Sequence, residues 1–396
     1  MCNTTKKKLK SLDILKGIAI IMIIIVHNRH FIMKDMNGMR QLINYGQTGV
    51  QLFFLVSGMS LCYAWYHLTE SDQEKTWGSC ARTFIWRRYL RLAPGFLIIL
   101  LINYILNVIL IDMLHTSPGV IMNREPLGIL VNVLFLHGLF PDYINSVFPS
   151  GWYIGSTFLL YAFFPVFFLI FEKLYALQKH SIVLLPIAFL AIDLFITRGF
   201  FHALGERFYP YNNSFMYYFF MNQLPAFSLG ILLYFQEKDG FSARIPLWLS
   251  TALTFVSSYV AIRVYLWQNI PYPFCIIPFL CGISFYWLAV TFLHIEHDIN
   301  RDTIGIKKSA KLSKIVSYFV DFLADCGKHS YGMYLVHGFF SWYIIKALTT
   351  TLMKHGINYN ELQLYFLLLV PTILAVYGTG RWLDVLLNYL DKKLRK

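Results

Sequence analysis

Long stretches of this chain carry no charged residue, and most approach the length of a bilayer crossing. A helix needs about 20 apolar residues to span the hydrocarbon core. The runs Leu92 to Ile111, Tyr143 to Phe171, Phe208 to Gln236, Ile245 to Ile262, Val264 to Leu293 and Leu362 to Gly380 supply them. Residues around 12–31, 47–66, 181–197 and 330–349 are also apolar but contain ionisable groups, which are expensive within a membrane and tend to be functional. Leu127 to Phe140 is short for a crossing and reads as a re-entrant or interfacial helix. The pattern predicts an all-α, polytopic membrane bundle of ten transmembrane helices plus that short helix. It forms a single domain over residues 1–396, with the basic stretch 294–329 as its largest cytoplasmic loop, partly helical.

Charge decides the orientation. If the 127–140 piece does not cross and the N-terminus is cytoplasmic, nearly every basic cluster falls inside: Lys6 to Lys10, the 67–91 loop, Lys173 and Lys179, the 237–244 loop, Lys307 to Lys328 and Lys392 to Lys396. The positive-inside rule expects this arrangement, with both termini cytoplasmic. Of 396 residues, 57% are hydrophobic and 14% charged, which excludes an ordinary soluble domain. The net charge of +13 is then explained by cytoplasmic loops, and nucleic acid is not needed as a partner. The six cysteines show no CxxC pairing and read as small buried hydrophobes. The histidines lack metal-ligand spacing such as HExxH, so no metal site is implied. No small-residue cleavage site follows the first apolar run, which reads as a retained span. Nothing in the chain fixes an oligomeric state.

Candidate chemistry concentrates on the spans that carry polar groups. Lys16 and His27 are eleven residues apart, which returns them to one helix face about 16 Å apart along the axis, and Asp13 lies one turn before Lys16. Neutral imidazole is a natural general base. The plainer account is that Lys16 snorkels to headgroups and His27 is a boundary residue. Arg88 and Arg91, three apart, are either positive-inside anchors or a clamp for an anionic ligand. Ser330, Tyr334, His337 and Ser341 form one polar stripe that should face the bundle interior, whether for interhelical hydrogen bonding or to line a cavity. Trp152 is expected at an outer aromatic belt, where its face also suits a sugar ring; Tyr209 to Asn213 are of the same kind.

An ordered set of segments resembles the acyltransferase family 3 membrane O-acyltransferases. These are Ser11-Leu12-Asp13-Ile14-Leu15-Lys16-Gly17-Ile18-Ala19 through His27; Gly49-Val50-Gln51-Leu52-Phe53-Phe54-Leu55-Val56-Ser57-Gly58; and Arg87-Arg88-Tyr89-Leu90-Arg91-Leu92-Ala93-Pro94. Further on come Gly151-Trp152-Tyr153-Ile154-Gly155 with Tyr161 and Phe164-Pro165; Asn222-Gln223-Leu224-Pro225-Ala226-Phe227 with Gly230; and Ser330 through His337. Two positions depart from the pattern: Lys16 stands where arginine is commoner, and Thr157 where many members carry a glutamate.

The resemblance implies an enzyme of the bacterial inner membrane that moves an acyl group, acetyl first among the choices, from cytoplasmic acyl-CoA to a hydroxyl of a surface glycan or its lipid-linked precursor. His27 would act as base or transient acyl carrier. Asp13 would orient Lys16, and Lys16, Arg88 and Arg91 would hold the donor. Ser330, Tyr334, His337 and Trp152 would contact substrate. A glycan transporter and a non-catalytic family member are the alternatives, although no inverted repeat supports the transporter.

Overall fold

The computed structural model describes residues 9–29, 32, 38–70, 76–115, 122–147, 150–204, 212–267, 272–300 and 312–394. Lys6, Lys7, Lys8, Lys307 and Tyr209 to Tyr211, singled out above, lie outside them. Among the described residues there is no strand. We label the longer helices α1 (Lys10–Asn28), α2 (Gly49–Glu70), α3 (Trp77–Asn107), α4 (Pro126–Val133), α5 (Gly151–Leu177), α6 (Leu184–Leu204) and α7 (Phe220–Lys238). They continue with α8 (Leu247–Trp267), α9 (Pro273–Asn300), α10 (Leu312–Lys328), α11 (Ser330–Phe339), α12 (Lys346–Lys354) and α13 (Glu361–Leu394).

Nine helical segments among the described residues are long and apolar enough to cross a membrane. They correspond to nine of the ten expected spans. The remaining one, around 330–349, is an uninterrupted helical run of α11, a π-turn over Phe340–Ile345, and α12. It is not among the nine apolar segments, and it carries the polar stripe of Ser330, Tyr334, His337 and Ser341. The 127–140 piece is the short α4 followed by a single turn, His137–Leu139.

Two helix starts differ from the apolar runs. Tyr143 to Phe171 is helical only from Gly151, because Ser150 takes φ 73°, a left-handed value that ends any right-handed helix. Val264 to Leu293 divides between α8 and α9, with Pro273 at the start of the latter. The stretch 294–329 is less of a loop than its charge indicated. Residues up to Asn300 prolong α9, and α10 packs against the first turns of α1.

The core gathers on α7, buried along almost its whole length, with α1, α2 and α5 around it. α8 leaves Trp248, Phe255, Val256 and Tyr259 exposed at the periphery, as a lipid-facing helix does. With no hydrophobic drive between helices in lipid, close backbone approach must hold the centre together. A Cβ on Gly230 would lie 1.9 Å from the Leu55 carbonyl oxygen, and one on Gly58 would lie 2.3 Å from that of Phe227, so α2 and α7 cross glycine against backbone. Beside that crossing Gln51 Nε2 donates to Gln223 Oε1 at 2.8 Å. Gly230→Val is expected to abolish folded, monodisperse protein in detergent, whereas Gly199→Val, where a Cβ meets nothing within 4 Å, behaves as wild type. Size-exclusion profiles of the two variants check this.

α1 is fixed at its start by a partner far away in sequence. Leu9 offers no side-chain cap, and the orphan amides of Lys10 and Ser11 donate instead to the two Glu296 carboxylate oxygens of α9, at 3.0 and 2.9 Å. Lys10 Nζ pairs with Asp321 of α10 at 2.6 Å. A Cβ on Gly17 would strike the Leu323 carbonyl at 2.0 Å, and one on Gly327 that of Asp13 at 1.7 Å. These contacts set the position of Asp13 and Lys16.

Candidate active site

A cavity of about 390 Å³ opens at the end of the bundle where α1 begins. Asp13 and Lys16 of α1, Arg88 and Arg91 of α3, Lys328 of α10, and Ser330 and Tyr334 of α11 all line it. Its remaining wall includes Phe53, Ser57 and Ser60 of α2 and Tyr153, Thr157 and Tyr161 of α5. Two separate helices, α1 and α3, therefore bring Lys16, Arg88 and Arg91 to one space. Lys328 is a fourth cation that sequence reasoning treated only as loop charge. Arg88 is half-buried with its guanidinium 5.1 Å over the Phe84 ring, while Arg91 is more exposed. Arg87 is exposed and does not line the cavity.

The stripe on α11 faces inward along its length. Ser330 and Tyr334 line the cavity, His337 is fully buried, and Ser341 is buried within the π-turn. Helical periodicity alone carried this part of the expectation. Thr157, at the position of the departed glutamate, has its side chain on the cavity wall.

His27 does not line the cavity. Its ring packs 5.0 Å from that of His337 and 4.8 Å from that of Trp342. Nδ1 lies 2.8 Å from the Ile23 carbonyl oxygen, which can only accept, so Nδ1 carries a proton, and in the neutral ring Nε2 is the acceptor nitrogen. Nε2 faces Ser150 Oγ at 3.3 Å. The Tyr334 hydroxyl donates to the Ser150 carbonyl at 2.7 Å, and its ring stands 4.7 Å from that of Tyr153. Two tyrosine rings on the cavity wall thus adjoin the His27–Ser150 pair. Sequence reasoning missed Ser150. A signal was present, since a polar residue in a Pro-Ser-Gly turn before a long apolar helix is where a strained backbone can expose a side chain, but its pairing with His27 spans 123 residues.

Trp152 is not at an outer belt. It is buried, with its ring stacked on Tyr218 at 4.5 Å, because α5 begins inside the bundle and not at its rim.

A family model described as an acyltransferase domain matches residues 9–381. The chain belongs to acyltransferase family 3. No curated protein and no solved structure matches it. This acyltransferase is thus a multi-pass membrane protein whose match runs from the first turn of α1 to the middle of α13, so both the cavity and His27 fall within the matched domain. The basic side chains at the mouth, the inward polar stripe and the oriented histidine are all contained in it.

Proposed function

We propose that this membrane acyltransferase takes an acyl group, acetyl in the first instance, from acyl-CoA and transfers it to a hydroxyl of a cell-surface glycan or its lipid-linked precursor. The observation that carries this reading is the convergence of Lys16, Arg88, Arg91 and Lys328 on one cavity that ends near the His27 imidazole, whose Nδ1 is held by the Ile23 carbonyl. A CoA thioester is polyanionic at its nucleotide end and neutral at the thioester. Guanidinium groups suit the phosphates by paired, charge-assisted hydrogen bonds. The basic residues stand at the bundle end where α1 begins, which the positive-inside rule assigns to the cytoplasm of a bacterial inner membrane. Both termini are cytoplasmic in this reading, and His27 is the base that takes a hydroxyl proton during attack on the thioester.

Membranes containing the protein, supplied with labelled acetyl-CoA and a crude glycan acceptor, are expected to place label in alkali-labile ester form on the glycan. Glycan movement across the bilayer with no labelled ester would overturn the reading in favour of a transporter.

A further inference from the structure

The geometry points to Ser150 as the acyl carrier of this enzyme: a serine that receives the acyl group from the donor and holds it as an ester until the acceptor arrives. The inference rests on the acyl-CoA reading above and deepens it. Four observations carry it. Nε2 of His27, the acceptor nitrogen of the neutral ring, lies 3.3 Å from Ser150 Oγ, while Nδ1–H is held by the Ile23 carbonyl, the nucleophile–base–orienter arrangement that activates a hydroxyl. Ser150 is buried and holds φ 73°, ψ 2°, a conformation that a residue with a Cβ rarely adopts and that the surroundings must enforce.

The enforcement is visible in the turn itself. The Ser150 carbonyl accepts from the Tyr334 hydroxyl at 2.7 Å, and the next carbonyl, that of Gly151, accepts from His137 Nε2 at 3.1 Å. Fixing both carbonyls fixes the backbone from which the Ser150 side chain projects. Finally, Ser150 immediately precedes the first turn of α5, where the Tyr153 amide donates to the Ser150 carbonyl at 3.3 Å and the amides before it carry the positive end of the helix dipole. An oxyanion formed on a carbon bonded to Oγ would lie beside that end.

The chemistry balances in two halves. Ser150 Oγ attacks the thioester carbonyl as its proton passes to His27 Nε2; the C–O bond forms, the C–S bond breaks, and the sulfur leaves as the thiol with the proton from the imidazolium. The acceptor oxygen then attacks the seryl ester while His27 Nε2 takes its proton; the bond from the acyl carbon to Oγ breaks, and Oγ recovers the proton. A resting acyl-enzyme separates the two halves, so donor and acceptor never need to be bound at the same time.

The test uses the full-length protein in membranes with labelled acetyl-CoA and no acceptor. Wild type is expected to acquire label on the peptide containing Ser150, released by base but stable to neutral hydroxylamine, and to exchange free CoA into acetyl-CoA. With acceptor present, double-reciprocal plots are expected to be parallel. Ser150→Gly, which accepts φ 73° without strain and so preserves the turn, loses label and exchange, and transfer falls at least 100-fold. Ser150→Cys regains label as a thioester that neutral hydroxylamine cleaves. If wild type transfers acetyl to the acceptor and Ser150→Gly does so within a few-fold, the carrier is overturned while the acyltransferase reading stands. If wild type transfers acetyl to no acceptor and exchanges no CoA, that reading falls and the carrier with it.

Discussion

His27→Ala is expected to lower acyl transfer by about 10²- to 10⁴-fold, the range over which a positioned general base contributes. This corresponds to about 3–5 kcal/mol of transition-state stabilisation. The loss should fall on kcat. His27 lies off the cavity wall, behind Tyr334, and holds no part of the basic cluster, so the donor KM should change by less than about threefold. His27→Gln should be as inactive as His27→Ala, because an amide can fill the space beside the Ile23 carbonyl but has no basic nitrogen to take the Ser150 proton. Initial rates over a range of acetyl-CoA concentrations decide the matter. A donor KM raised tenfold with kcat unchanged would place His27 in donor binding and remove it from the chemistry.

Arg88→Ala is expected to do the opposite: a donor KM raised by about 10- to 100-fold with kcat at saturation nearly kept, the consequence of losing charge-assisted contacts worth about 1.5–3 kcal/mol. Arg91→Ala should follow in the same direction with a smaller effect, since Arg91 is the more exposed of the two and water screens it. Arg88→Lys should recover only part of the affinity, because an ammonium cannot make the paired contact of a guanidinium and would lose the stacking on Phe84. Raising the salt concentration should weaken donor binding in wild type and weaken it less in the Arg88→Ala, Arg91→Ala double variant. The same rate series measures all of this, and a fall in kcat at constant KM would place the arginines outside donor binding.

The two sets of residues were legible in the sequence to different depths. Lys16, Arg88 and Arg91 stood out because a charge at the end of an apolar run is conspicuous, but on spacing alone a membrane anchor and an anion clamp look the same. Their convergence on one cavity is what supports the clamp proposed above, and it depends on how α1 and α3 pack. The stripe on α11 was readable because it is local: four polar residues at helical spacing must share a face, and that face cannot be turned to lipid. Trp152 was misplaced because an apolar run does not show where its helix begins. The start at Gly151 is set by the left-handed backbone of Ser150, and it puts Trp152 inside, against Tyr218.

The chain by itself determined which segments are helical and apolar enough to cross, since an unsatisfied backbone or a lipid-exposed charge costs several kcal/mol and the penalty acts within each segment. It also determined the family, through short motifs strung in order along most of its length. Only the tertiary structure decided what those motifs enclose. The glycine crossings of Gly58 with Gly230 and of Gly17 with Gly327 set distances between helices, and distances between helices set the cavity. The meeting of His27 with Ser150 lies beyond any periodicity, because a hydrogen bond across 123 residues is a property of packing and not of spacing.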